Sequence, residues 1–279
     1  MKKDIYEMIT NKIIKSLEKG VIPWHKPWSS SYLLPENFLT KKKYNGINIL
    51  LLWDSGFNCK YWLGFKQIEN LGGKVKKGEK GTFIVYYSTF MKKEEIDGVI
   101  TEKNIPYIKY HYVWNLEQTE GIEYEKKEIK KIDFIPIEKA EKILLKMKNK
   151  PGIMHKGNRA YYNYNNDFIC LPAKETFKST DSYYSVLFHE LTHSTMAIKR
   201  LNRESARDNH FGNVEYSKEE LLAEIGSCFL CSESAIKKTF DNSISYISNW
   251  LEALKKDKKM ILYAASGASK AVNYILDKK

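Results

Sequence analysis

The stretch Val186-Leu187-Phe188-His189-Glu190-Leu191-Thr192-His193-Ser194, residues 186–194, decides how the second half of this chain is read. On a helix, positions i and i+4 lie one turn apart on one face, so His189 and His193 can turn an imidazole nitrogen each toward a single metal ion. Glu190 then stands beside the ion without ligating it. There it is placed to take a proton from a metal-activated water, whose pKa zinc lowers to about 7, and to pass it to a departing amine. The apolar flank of Val186, Leu187, Phe188 and Leu191 suits a buried helix, read here as Tyr183–Lys199. The bland alternative is a pair of histidines on an ordinary helix.

A catalytic zinc site takes three protein ligands and keeps one position open, so the chain must supply a third. The apolar-periodic segment Lys218–Ser232 does so, with Glu220 and Glu224 at i and i+4 on one face among Leu221, Leu222, Ala223 and Ile225. Glu220 is assigned as ligand. Glu224 is assigned as the carboxylate that hydrogen-bonds a ligand histidine and orients its ring. Glu219 is expected to point elsewhere. The rival third ligand is His210, in the polar loop 202–212, which lacks metzincin spacing. Zinc is the expected ion, with manganese or another divalent metal compatible with two imidazoles and a carboxylate. Cys228 and Cys231 are read as core packing on an apolar helix.

Around this helix the second half reads as Ile137–Lys148 helical, Gly157–Tyr164 and Asp167–Leu171 as paired strands, and Ile244–Lys255 and Leu262–Leu276 as closing helices. The first half begins with Ile5, Met8, Ile9, Ile13 and Leu17, a helical stripe over Asp4–Lys19. A proline-rich loop with Trp24 and Trp28 follows, and then short helices at Asn48–Trp53 and Trp62–Gly72. Thr82–Tyr87 and Tyr107–Leu116 are β-prone, residues 88–106 look like their connection, and Glu117–Lys131 has the charge density of a linker. The fold class is therefore α+β in two domains, 1–128 and 132–279.

With 279 residues, 43% of them hydrophobic and no apolar run of membrane-spanning length, the chain is expected to be soluble, with no membrane partner. Its start is basic and polar, unlike a secretory signal, and four cysteines are too few for a disulfide framework, so the cytoplasm is the expected compartment. The net charge of +12 points toward polyanions. That charge concentrates in residues 41–80, where nine lysines face three acids among Tyr44, Trp53, Tyr61, Trp62 and Phe65. Basic grooves with aromatic faces hold single strands, each stacked base being worth about 1–3 kcal/mol. Lys41, Lys42, Lys43, Tyr44, Lys74, Lys76, Lys77 and Lys80 are the candidate contacts, together with Trp24 and Trp28. Trp53 and Trp62, in apolar patterns, are read as core.

Taken together, several motifs resemble the ArdC-type antirestriction proteins of mobile genetic elements. In the first half they are Gly20-Val21-Ile22-Pro23-Trp24-His25-Lys26-Pro27-Trp28, Tyr44-Asn45-Gly46-Ile47-Asn48, Trp62-Leu63-Gly64-Phe65-Lys66-Gln67, Leu71 to Gly81, and Asn115 to Gly121. In the second they are Arg159-Ala160-Tyr161-Tyr162, Asp167 to Pro172, the His189–His193 segment, Arg200-Leu201-Asn202-Arg203 and Glu219 to Glu224. The resemblance implies a single-stranded-DNA-binding domain followed by a zincin-like metallopeptidase domain, in a protein that protects incoming DNA from restriction. It also implies a gluzincin-type glutamate helix, which favours Glu220 over Glu224, and a strand, Asp167–Leu171, able to pair with substrate backbone. Cys228 and Cys231 depart from the small or aliphatic residues usual there. Two rival functions stay open: a DNA-binding protection protein whose metal site is structural or vestigial, and a peptidase that acts on DNA-bound proteins.

Overall fold

A computed structural model describes residues 4–19, 22, 34–57, 59–96, 99–124, 136–203, 214–236 and 243–278. Trp24, Trp28 and His210 lie outside them. Helix α1 (Ile5–Glu18) starts where the Asp4 carboxylate accepts the Tyr6 amide at 3.0 Å, and it buries Ile9, Ile13, Ile14 and Leu17. Strand β1 (Glu36–Asn37) and helix α2 (Ile47–Trp53) lead to strand β2 (Tyr61–Gly64) and helix α3 (Phe65–Asn70). A short strand β3 (Lys74–Val75) precedes the long hairpin of β4 (Thr82–Ile96) and β5 (Val99–Asn115), and β6 (Thr119–Glu120) returns to pair with β3. The main sheet runs β1-β2-β5-β4.

The expected helix over Trp62–Gly72 begins as strand, over its first three residues. Trp62 and Leu63 are both buried, which a strand achieves in a sheet covered on both faces, and Trp62 pairs with Asn115. The helix begins only after Gly64, whose amide is accepted by the Gln67 side chain at 2.9 Å. Residues 88–96 and 99–106 are not a loose connection: the ladder continues to Ile96 opposite Val99, because backbone pairing needs no apolar alternation. The stretch read as a linker from Glu117 begins with a turn of 3-10 helix and β6.

The second half contains α4 (Pro136–Lys146), the strands β7 (Gly152–His155), β8 (Tyr161–Asn163) and β9 (Phe168–Leu171), then α5 (Thr180–Ser194), α6 (Val214–Ser234), α7 (Ser243–Lys256) and α8 (Met260–Ile275). The sheet order is β7-β9-β8, with β7 an additional strand parallel to β9. The central place of β9 overturns the expectation that Asp167–Leu171 pairs with substrate: both its edges are taken. Helix α5 also ends five residues earlier than read. Thr192, Ser194 and Thr195 hydroxyls donate to carbonyls three or four residues back, and Arg200 caps the Ser194 carbonyl at 2.7 Å.

The halves share one apolar cluster that runs from Ile9, Ile13 and Leu50 to Phe229, Ile261 and Leu262. Trp53 meets Phe229 edge to face at 5.7 Å, worth about 0.5–1.5 kcal/mol beyond burial. Polar ties cross the same seam: Thr10 Oγ1 donates to the Lys258 carbonyl at 2.6 Å, the Gly46 amide to Ser269 Oγ at 2.8 Å, and Lys43 pairs with Glu233 at 3.1 Å. Cys228 and Cys231 are buried in this core, as read. Among the described residues no helix is long and apolar enough to cross a membrane.

Candidate functional site

Ser179 caps α5, accepting the Ser182 amide at 3.1 Å, and the helix carries His189, Glu190 and His193 on its buried length. Helix α6 packs closely along it because position 226 is glycine. A Cβ there would lie 2.6 Å from Thr192 Cγ2, so any larger residue would force the helices apart. This approach brings Glu220 to both histidines. Its Oε1 lies 3.4 Å from His193 Nε2, its Oε2 lies 3.5 Å from His189 Nε2, and the two Nε2 atoms are 3.1 Å apart.

These three donors all fall within 4.8 Å of one another. A tetrahedral ion with bonds of about 2.1 Å spaces its ligands about 3.4 Å apart, so His189, His193 and Glu220 fit a small divalent cation. The other ring nitrogens are held as well. His189 Nδ1 lies 3.2 Å from Glu224 Oε2, the role assigned to that residue, and His193 Nδ1 lies 3.3 Å from Glu219 Oε1. Both rings thus donate from Nδ1 and turn Nε2 toward the ion position.

Glu219 therefore does not point elsewhere. Consecutive helical positions differ by about 100°, and the His193 ring sits across that angle, with Glu220 at one nitrogen and Glu219 at the other. Arg203 completes the arrangement: it donates to Glu219 through Nη2 at 2.6 Å and Nε at 3.2 Å, and to Thr195 Oγ1 at 2.6 Å. Arg200 plays a parallel part for the sheet. It pairs with Asp167 just before β9 and receives the Tyr162 ring alongside, joining the end of α5 to the strands. Burial works against the Asp167 carboxylate, but bonds from Arg200 and Lys199 hold it well below its usual range. The sequence signal for both arginines was their position just past a helix end, where cations meet open carbonyls.

Electrostatically the centre is rich in carboxylates. Burial opposes charge on His189, yet the bonds to Glu220 and Glu224 outweigh it and raise the ring to about 9. His193 is raised in the same way, by the charge of Glu220 and the bond to Glu219. Burial likewise works against ionised Glu220, but the two rings hold it far below the ordinary carboxylate range. A divalent cation between the two Nε2 atoms and Glu220 would offset this negative charge. Glu190, only 8% exposed, adds its charge to the field that favours protonation of both histidines.

The basic residues of the first half scatter. Lys41 covers the Phe38 ring at 4.1 Å, Lys43 is tied to Glu233, and Tyr44 is half-buried. Lys74 pairs with Glu120 at 3.3 Å and Lys76 donates to the Glu117 carbonyl at 2.7 Å, while Lys77 and Lys80 are exposed on the same turn. Lys42, Lys43 and Tyr44 do line a cleft of about 840 Å³ over the main sheet. Its other walls include Phe65, Lys66, Tyr86, His111, Tyr112 and Trp114, none of which the sequence reading selected as contacts.

Residues 138–267 match the family described as a zincin-like metallopeptidase, and residues 3–114 match the N-terminal domain of the anti-restriction factor ArdC. The metal-free crystal structure of the antirestriction ArdC protein from the R388 plasmid is similar over 99% of this chain and 97% of its own, with 35% identity and a TM-score of 0.81. The chain belongs to the ArdC antirestriction family. The Mn(II)-bound structure of that ArdC protein matches with a TM-score of 0.79 and 34% identity. A divalent ion is therefore the metal class of the family's centre, in keeping with the donor set of His189, His193 and Glu220. The DNA primase TraC of Escherichia coli is 33% identical over 99% of this chain, which spans 20% of that protein's length. The Sinorhizobium fredii protein y4eC is 30% identical, with 98% of this chain and 91% of that protein covered.

Proposed function

We propose that this ArdC-family chain is a zinc-dependent peptidase tethered to single-stranded DNA, with DNA contact assigned to residues 1–128 and hydrolysis to 132–279. The observation that carries the hydrolytic half is the orientation of both histidine rings by separate carboxylates, Glu224 and Glu219, which leaves two Nε2 atoms and Glu220 converging on one point. His189, His193 and Glu220 would hold the ion, which when bound supplies Lewis-acid polarisation of a carbonyl and acidifies water. Glu190 is the general base: it takes a proton from the water that attacks the peptide carbonyl and delivers it to the departing amine nitrogen. Strand β8, at the edge of the small sheet, is the better candidate than β9 to align an extended substrate. The cleft of Phe65, Tyr86 and Tyr112 beside Lys42 and Lys66 supports the DNA half of the reading, and four free thiols agree with action in the cytoplasm.

The test is Glu190→Gln, which keeps shape and removes the base. Loss of proteolysis with metal content and DNA affinity intact supports the proposal. If protection of DNA in cells survives the substitution, proteolysis is not what gives the antirestriction effect, and DNA contact by the first half takes its place.

A further inference from the structure

A second cleft, of about 580 Å³, lies between the halves of the molecule. Tyr6 and Tyr87 line it from the first half, and Lys259, Tyr263 and Ser266 from the start of α8 and the residue before it. It shares Asn48, Val85 and Tyr86 with the cleft over the main sheet, so the two meet along one wall. That wall is fixed: the Asn48 side chain donates to the Val85 carbonyl and accepts the Val85 amide, each at 2.8 Å, closing the edge of β4 as a neighbouring strand would.

Three features of the joined surface point to one kind of occupant. The chain has 34 acidic residues, yet none of the described residues lining either cleft is Asp or Glu. Lysines stand along it, with Lys42 and Lys66 in the first cleft and Lys259 in the second, where its Nζ lies 5.2 Å above the Tyr6 ring. Half-exposed aromatic rings accompany them: Phe65 at 50%, Tyr112 at 49%, Tyr86 at 57%, Tyr87 at 52% and Tyr263 at 52%. Cations without carboxylates suit a polyanion, and open ring faces suit unstacked bases, which a duplex keeps inside.

We infer that a single-stranded nucleic acid runs through both clefts, so that Lys259 and Tyr263 of the zincin-like half form part of the DNA-binding surface. This rests on the DNA-binding reading above and extends it, because the strand would then touch both halves at their seam. A peptidase half in direct contact with DNA would feel occupancy of the strand, whereas a tethered one would not.

The experiment measures the affinity of the full-length chain for a fluorescein-labelled oligo-dT of 20 nucleotides by anisotropy, at several salt concentrations. Tyr263→Ala and Tyr112→Ala should each weaken binding about five-fold or more, and Tyr263→Phe, which keeps the ring, should restore it. Lys259→Ala should lower the slope of log affinity against log salt by about 0.7. Lys146→Ala, exposed at the end of α4 and away from both clefts, should change little. If Tyr112→Ala weakens binding while Tyr263→Ala and Lys259→Ala match the parent, the strand stops at the first half: the inference fails and the DNA reading stands. If the parent chain binds no oligo-dT, or prefers an extended peptide, both fail together. Tyr263 is a surface residue, so unchanged melting of its alanine variant separates lost contact from lost fold.

Discussion

Replacing Glu219 by glutamine keeps the side chain's shape while removing the charge that holds His193 Nδ1 and Arg203. The effect on the metal follows from the His193 ring. Its Nδ1 proton loses an ionised acceptor at 3.3 Å, so the ring is less firmly oriented and Nε2 is a weaker donor. Loss of such a support costs about 10–100-fold in metal affinity, or about 1.4–2.8 kcal/mol. A second effect acts on the fold. Arg203 and Glu219 have side chains only 11% and 9% exposed, so the arginine is left without its counter-charge inside the protein. Breaking a buried pair by removing one partner costs about 3–5 kcal/mol, and Arg203 keeps its bonds to Thr195 Oγ1 and the Thr192 carbonyl, which favours the lower figure. For a chain of this length that is a fall in Tm of roughly 5 °C. The double variant Arg203→Met with Glu219→Gln separates the two effects: it should regain much of the stability and none of the metal affinity. Zinc and manganese affinities measured by chelator competition on the parent, single and double variants decide it. An affinity within about two-fold of the parent in both variants would refute the role given to Glu219.

Three other outcomes follow from the same geometry. His189 has its pKa raised from 6.5 to about 9, so its contribution to the metal-free fold is complete below pH 6.5 and disappears as pH rises through about 9. Metal binding needs the neutral ring, so affinity should rise over that same interval; melting curves with and without metal should diverge as pH increases, and parallel curves would contradict it. Gly226→Ala forces a methyl against Thr192, and an overpacking cost of about 1–3 kcal/mol should appear in chemical denaturation and be relieved by adding Thr192→Ala. Phe229→Ala opens the seam under Trp53, and about 3–5 kcal/mol of lost stability should be seen as one cooperative transition, because both halves share that core.

The centre was legible in the sequence to the extent that helical spacing defines it. His189, Glu190 and His193 lie within five residues, and Glu220 with Glu224 repeat the i, i+4 interval on a second apolar helix. Glu219 was missed because a single-face rule ignores a ring with two working nitrogens. Arg203 was missed because its partner lies 16 residues ahead, a separation to which no helical or strand spacing rule applies. Tyr61–Gly64 was misread because a doubly buried strand and a short buried helix look alike in periodicity. β7 escaped because a four-residue, largely exposed strand carries little pattern of its own. The clefts had no linear signature, since Tyr6, Tyr87 and Tyr263 meet only through the packing of α1, β4 and α8.

The central claim is a single divalent-ion centre on His189, His193 and Glu220, and elemental analysis of the purified protein tests it most directly. The account predicts about one divalent ion per chain, lost on Glu220→Ala or His193→Ala and retained more weakly on Glu224→Gln. Less than about half an equivalent in the parent after reconstitution, or full occupancy in the Glu220→Ala variant, would contradict it.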